Sequence, residues 1–268
     1  MDAYIEKLER DGYCVVPDAF PVDQAEELRL LTQESFDQTV ALQSDRMPFL
    51  NKDQPMVYNL QAKHPAFLEI LFGISEVHTV LHHFLNDEWF RPIPAEDPNY
   101  ILRSYLARSS AHRMPIHIDS FVPYGGSHVF VMQAAFVLED QSPENGCTVV
   151  IPGSHLAEHY APQDYDAAVP IESKAGDVVM WDSRVWHGAL ENQSADTRWS
   201  LIATFQRWWL KQAFDIPGNL PQEIYDKLTP SQRAVMGFCS VPYNTEMDGI
   251  DMKRGYEHLP VRVADYRE

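Results

Sequence analysis

From Asn99 to Trp209 the sequence consists of short apolar runs, and turn-forming residues separate each run from the next. The runs are YILRSYLA, HVFVMQAAFVL, CTVVIP, DVVMWD and WSLIATFQRWW. They are rich in β-branched and aromatic residues, and Gly, Pro, Asn and Asp stand between them, which is typical of antiparallel strands. The pattern therefore predicts a β-sandwich or β-barrel over this part of the chain.

The first 85 residues have a different pattern of apolar residues and are predicted to be mainly helical. The opening IEKLERDGYCVVPDAF indicates a short helix, a turn at Asp11 and Gly12, and a strand from Tyr13 to Val16. A longer helix is predicted in PVDQAEELRLLTQESF, with Asp23 as its N-cap. Its apolar stripe is predicted to consist of Ala25, Leu28, Leu30 and Leu31.

After Trp209 the sequence is irregular and rich in Pro and Gly, with short helices predicted around 221–228 and 231–236. No repeat and no linker divides the sequence. We therefore predict a single domain over 1–268, mainly β, with a helical part at 1–85, a β core at about 99–209 and an irregular C-terminal tail at 210–268. We expect the segment from about Gln206 to Tyr256 to help close the mouth of a pocket or to join a homodimer, because a long irregular segment needs a packing surface.

Charge and cysteine content exclude several classes of protein. The sequence has 21 Lys and Arg against 39 Asp and Glu, and the formal net charge of −18 repels nucleic acid and anionic lipid surfaces. The start, MDAYIEKLERDG, is too charged for a secretory signal, and no run of apolar residues is long enough to span a membrane. Cys14, Cys147 and Cys239 lie too far apart for a disulfide framework or a cysteine metal cluster. We therefore expect a cytoplasmic protein that binds no nucleic acid and no membrane.

His117 and Asp119, in MPIHIDSF, are the first candidate metal ligands. Alternate side chains of a strand point to the same face, so the imidazole and the carboxylate are predicted to converge. Chance alone produces about one His-x-Asp pair in a chain of this composition, so a third ligand is needed. His187, which ends a strand-like run in GDVVMWDSRVWHGAL, is the best candidate, and His155 and His128 are its rivals. Two histidines and one carboxylate form the set that holds Fe(II) with open positions.

Arg198 and Ser200 are the candidate residues for binding an anion. Arg198 follows His187 by eleven residues, and Ser200 lies two residues further on the same side of a predicted strand. A guanidinium beside a hydroxyl suits the far carboxylate of a small dicarboxylate. Three residues before the metal motif could also line the pocket, although such strand residues are more often structural: Arg103, Tyr105 and Arg113.

In these segments the chain resembles the phytanoyl-CoA dioxygenase-like (PhyH) family of Fe(II)/2-oxoglutarate-dependent oxygenases. The resemblance is carried by ERDGYCVVPDAF, HID, FVLEDQSPENGCTVVIPGSH and KAGDVVMWDSRVWHGALENQSADTRWSL, and it covers most of residues 8–206. It implies a double-stranded β-helix, which is a jelly-roll core of the cupin type.

The resemblance also implies a reaction and the residues that support it. Fe(II) would be held by His117, Asp119 and His187, and 2-oxoglutarate would be bound by Arg198 with Ser200. Gln133 resembles a position from which such enzymes contact the co-substrate. The implied reaction uses O2, converts 2-oxoglutarate to succinate, and hydroxylates, desaturates or cyclises a small metabolite, which we expect to be neutral or cationic.

The sequence leaves two other functions open. The first is a cupin-like metalloenzyme that does not use 2-oxoglutarate, against which Arg198 and Ser200 argue. The second is a catalytically silent binding or partner subunit on the same fold, against which the complete His-Asp-His set argues. Consumption of 2-oxoglutarate distinguishes both from the oxygenase.

Overall fold

The computed structural model describes residues 2–42, 55–90, 93–109, 111–160, 166–194 and 196–242. The helices in these ranges are α1 Asp2–Asp11, α2 Val22–Ala41, α3 Pro65–Gly73, α4 Ser75–Leu85, α5 Ile216–Asn219, α6 Gln222–Tyr225 and α7 Pro230–Val235. The strands are β1 Tyr13–Val16, β2 Met56–Tyr58, β3 Ile101–Ser109, β4 Met114–His117, β5 Val131–Val137, β6 Thr148–Val150, β7 Val169–Pro170, β8 Val178–Asp182, β9 His187–Ala189 and β10 Trp199–Gln206.

Two antiparallel sheets contain these strands. The larger has six strands in the order β1-β8-β5-β10-β3-β2, and the smaller has four in the order β4-β9-β6-β7. Each apolar run of the predicted β core contains one strand, β3, β5, β6, β8 or β10, and so the prediction of antiparallel β structure is confirmed. One face of the large sheet packs on the helices, whereas a cavity between the two sheets is lined by residues of both.

The N-terminal part contains two strands as well as helices. The predicted strand Tyr13–Val16 is confirmed as β1, which pairs with β8 at one edge of the large sheet. Strand β2 was not predicted from the sequence, and it pairs with β3 at the opposite edge. The three residues of β2 are too few to show the alternation of apolar and polar residues that predicts a strand. The strand is therefore recognised only from its pairing with β3.

Two details predicted for α2 are wrong. Asp23 is not the N-cap, because the helix begins at Val22 after an extended Pro21, and the carboxylate of Asp23 accepts a hydrogen bond from the backbone N–H of Gln24 instead. Leu30 is not part of the buried stripe, since 55% of its surface is exposed. A helix turns by about 100° per residue, so Leu30 lies far around the helix from the buried residues, which are Ala25, Leu28 and Thr32.

The described part of the C-terminal tail packs into the main hydrophobic core. The two predicted helices are confirmed as α6 and α7, and a capping box formed by Thr229 and Gln232 begins α7. Five apolar residues of this segment are buried in the core: Ile216, Leu228, Val235, Met236 and Phe238. Residues 243–268 of the predicted tail lie outside the described residues. Among the helices that the structure describes, none has the length and apolarity needed to cross a membrane.

Candidate metal and co-substrate site

His117, Asp119 and His187 come together at the cavity between the sheets. One ligand atom from each residue lies within 4.8 Å of the others. His117 ends β4 and His187 begins β9, and the pairing of these strands sets the two histidines opposite each other. Of the three histidines considered as third ligand, the structure brings His187 to the cluster.

Asp119 reaches the cluster by a different route from the one that strand alternation predicted. Strand β4 ends at His117, so Asp119 lies in the following loop. The backbone N–H of Asp119 donates to the carbonyl of Ser183 at 2.8 Å, and this bond fixes the loop beside the segment that precedes His187. The three side chains therefore converge because two segments distant in sequence are joined, and not because one strand is regular.

Backbone carbonyls fix the orientation of both imidazoles. Nδ1 of His117 lies 2.8 Å from the carbonyl oxygen of Pro115, and Nδ1 of His187 lies 3.0 Å from that of Val185. A carbonyl oxygen can only accept, so each Nδ1 carries the hydrogen and each neutral ring presents the lone pair of Nε2. The two Nε2 atoms face the carboxylate of Asp119 at 3.6 and 3.3 Å. Three electron-pair donors that face one another in this way fit a transition-metal cation, and histidines that bind metals are commonly held by such carbonyls.

The electrostatics of the cluster keep Asp119 ionised. Burial alone would raise its pKa, but without a metal the attraction of a protonated His187 and the hydrogen bonds that Nε2–H of protonated histidines donates to the carboxylate lower the pKa far below the usual range of an aspartate. For His117, burial lowers the pKa and the bond to Asp119 raises it, so that the net pKa lies above the ordinary value. The carboxylate is thus available as an anionic ligand at neutral pH.

Two side chains from the large sheet hold Asp119 in place. Nε2 of Gln133, on β5, donates to Oδ2 of Asp119 at 2.7 Å, and the indole N–H of Trp181, on β8, donates to the same oxygen at 3.3 Å. Gln133 was predicted to lie near the co-substrate. It does line the cavity, and its hydrogen-bond partner there is Asp119. Trp181 was not predicted from the sequence. Val179 and Trp181 are two residues apart on β8 and therefore point to the same face of the sheet, which is the face that lines the cavity.

Arg198 and Ser200 lie in the same cavity and are bridged by a glutamine. Nη1 of Arg198 donates to Oε1 of Gln141 at 2.9 Å, and Nε2 of Gln141 donates to the hydroxyl of Ser200 at 2.6 Å. Gln141 was also missed, because it lies in the loop DQSPENG, where no strand period predicts its direction. An isolated backbone pairing with Ser173 fixes that loop.

The guanidinium of Arg198 is buried without a carboxylate partner among the described residues. The side chain is 6% exposed, its Nε–H donates to no described residue, and Nη1 donates only to the neutral amide of Gln141. Glu139 attracts it only from a longer distance, and burial lowers the pKa of Arg198 to about 10. A buried cation is costly unless it is paired, so this end of the cavity fits an anion.

Two levels of the paired strands β5 and β10 mark the positions of the metal cluster and of Arg198, because Gln133 on β5 contacts Asp119 and Ser200 on β10 lies two residues after Arg198. Gln133 is opposite Thr204 on β10, whereas Val137 is opposite Ser200. Four residues of strand correspond to about 13 Å, a separation that an elongated dicarboxylate and an arginine side chain can span together. The cavity has a volume of about 160 Å³. A larger cavity of about 460 Å³ lies among helical residues and includes none of the candidate site residues.

The remaining candidates lie outside this cluster. His155 is buried, and its Nε2 contacts the backbone carbonyl of Glu9 at 3.1 Å, while His128 is exposed. Three further candidates are not among the described residues that line the cavity: Arg103, Tyr105 and Arg113. Arg108, which was not predicted from the sequence, does line the cavity. It lies on β3, where it is opposite Ser200 of β10 and Met56 of β2.

Comparisons with known proteins agree with this geometry. The family model for phytanoyl-CoA dioxygenase matches residues 8–200. Dioxygenase af480 from Aspergillus fumigatus is 28% identical over 157 residues, which is 56% of this chain and 51% of that protein. The aligned part thus spans about half of that relative. The iron/alpha-ketoglutarate-dependent dioxygenase ausO from Aspergillus calidoustus is 25% identical over 251 residues, which is 86% of this chain and 80% of that protein.

A solved structure shows the same fold. HygX from Streptomyces hygroscopicus, crystallised with nickel and 2-oxoglutarate bound, superposes with a TM-score of 0.60 at 14% sequence identity. The match covers 79% of this chain and 89% of that one. The likeness confirms the predicted jelly-roll core.

Proposed function

The chain belongs to the phytanoyl-CoA dioxygenase (PhyH) family, and we propose that it is an Fe(II)- and 2-oxoglutarate-dependent oxygenase of a small metabolite. One observation carries the proposal. A single cavity is lined by a His-Asp-His cluster whose electron pairs face one another and by a buried guanidinium that has no carboxylate partner among the described residues.

The residues of the cluster would bind and orient the metal. Nε2 of His117, Nε2 of His187 and the carboxylate of Asp119 would hold Fe(II). The iron, when bound with 2-oxoglutarate and O2, supplies the oxidising power that inserts one oxygen atom into a substrate C–H bond while 2-oxoglutarate becomes succinate and CO2. The carbonyls behind the histidines, with Gln133 and Trp181, keep these ligands oriented.

Arg198 would bind the distal carboxylate of 2-oxoglutarate. Pairing with that carboxylate compensates the cost of burying the guanidinium, and the free atoms of its fork favour a two-point contact. The hydroxyl of Ser200 stands beside it, and Gln141 orients both residues. This arrangement argues against a cupin-like enzyme that does not use 2-oxoglutarate, because such an enzyme has no need for a buried cation here.

Apolar side chains make up much of the wall between the two polar regions. Ala135 and Val137 on β5, Val179 on β8 and Ile202 on β10 line the cavity. A wall of this kind excludes water and protects a reactive intermediate from side reactions. Hydroxylation is the expected outcome, and desaturation or ring closure are alternative results of the same hydrogen removal. The cytoplasmic location and the homodimer remain predictions.

The proposal is tested by adding 2-oxoglutarate to the Fe(II)-loaded protein without oxygen. Chelation of ferrous iron by a 2-oxo acid produces a visible charge-transfer band, and its titration gives the dissociation constant. Admission of O2 with a metabolite library should then release succinate, and one compound should be oxidised in proportion. Absence of both the band and succinate would favour the alternatives without 2-oxoglutarate.

A further inference from the structure

Gln133 has two amide atoms in different situations. The side chain is 4% exposed and lies on β5 in the wall of the cavity. One amide atom is 2.7 Å from Oδ2 of Asp119. Since an ionised carboxylate can only accept hydrogen bonds, this atom must be the nitrogen, and the orientation of the amide is fixed.

The other amide atom, Oε1, is buried and accepts no hydrogen bond from any described residue. Trp181, which is opposite Gln133 in the sheet, donates its indole N–H to Asp119 as well and so does not satisfy Oε1. A buried carbonyl oxygen without a partner is destabilising, and such atoms in cavities commonly meet a ligand. The structure thus presents an acceptor beside the metal cluster that requires a donor.

The co-substrate cannot supply this donor. At neutral pH 2-oxoglutarate carries two carboxylates and one ketone, all of which are acceptors, and it has no N–H or O–H group. Contact between Oε1 and any of these oxygens would place two acceptors together, which is unfavourable. The donor must therefore belong to another molecule in the cavity.

We propose that Gln133 orients Asp119 through Nε2 and accepts, through Oε1, a hydrogen bond from a hydroxyl or amine of the main substrate. The inference rests on the proposed function and replaces the predicted contact between Gln133 and the co-substrate. Because one amide group spans both contacts, the donor lies close to the metal cluster and hence close to the carbon that is oxidised. The substrate is thus an alcohol or an amine with a free N–H or O–H near that carbon.

The first test compares Gln133→Met with a matched control. Methionine has a similar length and volume but forms neither strong hydrogen bond. Gln222→Met is the control, because Gln222 also donates from Nε2 to a carboxylate, that of Asp226 at 2.8 Å, yet lies exposed on α6. In Gln133→Met the affinity for Co(II), measured by calorimetry, should fall about 10-fold to 100-fold. The dissociation constant of 2-oxoglutarate should change by less than about 3-fold, and Gln222→Met should change neither.

The second test compares each compound that the enzyme oxidises with its deoxy or deamino counterpart. Wild-type protein should prefer the parent compound by about 100-fold or more in kcat/KM, because the counterpart leaves Oε1 unpaired. In Gln133→Met this preference should disappear. The wild-type comparison tests the substrate contact even if the variant does not fold, which its thermal unfolding midpoint will show.

Three results would overturn the inference while the proposed function stands. They are an increase of about 10-fold or more in the 2-oxoglutarate dissociation constant of Gln133→Met, an unchanged Co(II) affinity, or equal turnover of parent and deoxy compounds by wild-type protein. A wild-type protein that neither binds 2-oxoglutarate nor forms succinate would instead overturn the proposed function, and the inference with it.

Discussion

At the scale of single residues, the site depends on which atom of each side chain is committed to the protein. His117 and His187 give Nδ1 to backbone carbonyls, and Arg198 gives one nitrogen to Gln141. Oδ2 of Asp119 accepts from Gln133 and Trp181, so what remains uncommitted are two Nε2 atoms, Oδ1 of Asp119 and most of a guanidinium. These uncommitted atoms, more than the residue types, determine which ligands the cavity can bind.

His117→Ala should abolish binding of one equivalent of Fe(II) while the protein stays folded. The side chain of His117 is 36% exposed and fills no core space, so its loss leaves only two ligands without opening a cavity. Metal content after anaerobic loading and the thermal unfolding midpoint are the measurements. His128→Ala is the control, since His128 is exposed and should leave metal content unchanged. Normal iron content in His117→Ala would remove this residue from the site.

Arg198→Ala should weaken 2-oxoglutarate binding by about 2–5 kcal/mol, because it removes the buried partner of one carboxylate. Arg198→Lys should recover only part of the loss, since an ammonium cannot reproduce the planar fork. The charge-transfer titration measures both, with Arg10→Ala, at an exposed position, as the control. Unchanged affinity in both Arg198 variants would assign the carboxylate to another cation of the cavity, such as Arg108.

At the scale of elements, the close pairing of β4 with β9 brings the two histidines together. Gly188 lies between His187 and Ala189 in β9, and a Cβ at this position would stand 2.6 Å from the backbone carbonyl oxygen of Met114 in β4. Any other residue at 188 must therefore separate the strands that carry His117 and His187.

Gly188→Ala should lower the free energy of unfolding by about 1–3 kcal/mol and weaken metal binding as well. Chemical denaturation of the metal-free protein and Co(II) calorimetry measure the two effects. Gly73→Ala is a suitable control, because a Cβ at Gly73 meets no atom within 4 Å. If Gly188→Ala retains both stability and metal affinity, the spacing of these strands does not determine the site.

At the scale of the whole molecule, the C-terminal segment is part of the core rather than an appendage. Its described residues contribute five buried apolar side chains, and none of them lines the metal cavity. The predicted closure of the pocket mouth is thus not supplied by residues 210–242. Closure stays a prediction for residues 243–256, which lie outside the described residues, and the homodimer stays a prediction as well.

A chain that ends at Trp209 should be insoluble or unfolded. Removal of one large buried apolar residue typically costs about 2–5 kcal/mol, so the loss of five, about 10–25 kcal/mol, is comparable with or larger than the roughly 5–15 kcal/mol that stabilises a domain. Soluble yield and circular dichroism, compared with the full chain, are the measurements. The single variant Met236→Ala should be soluble and less stable by about 2–5 kcal/mol. A soluble truncated protein with native thermal stability would contradict this account of the tail.

The secondary-structure elements of the core and the types of ligand could be predicted from the sequence alone. Short apolar runs separated by turn residues predicted the strands of the core, and the order of His117, Asp119, His187 and Arg198, set in the family's motifs, was enough to propose the chemistry. These signals are local, because the apolar residues of a buried strand or helix recur within a short stretch of consecutive residues.

Which residues meet, and through which atoms, depends on how the chain folds in three dimensions. Gln141 and Arg198 are 57 positions apart, and Gln133 and Asp119 are 14 apart with a loop between them, so no period relates either pair. The placement of Asp119 in a loop likewise follows from its bond to Ser183. Contacts of this kind arise when the sheets close on each other, and the uncommitted oxygen of Gln133 is visible only after every neighbouring donor has been assigned to its acceptor.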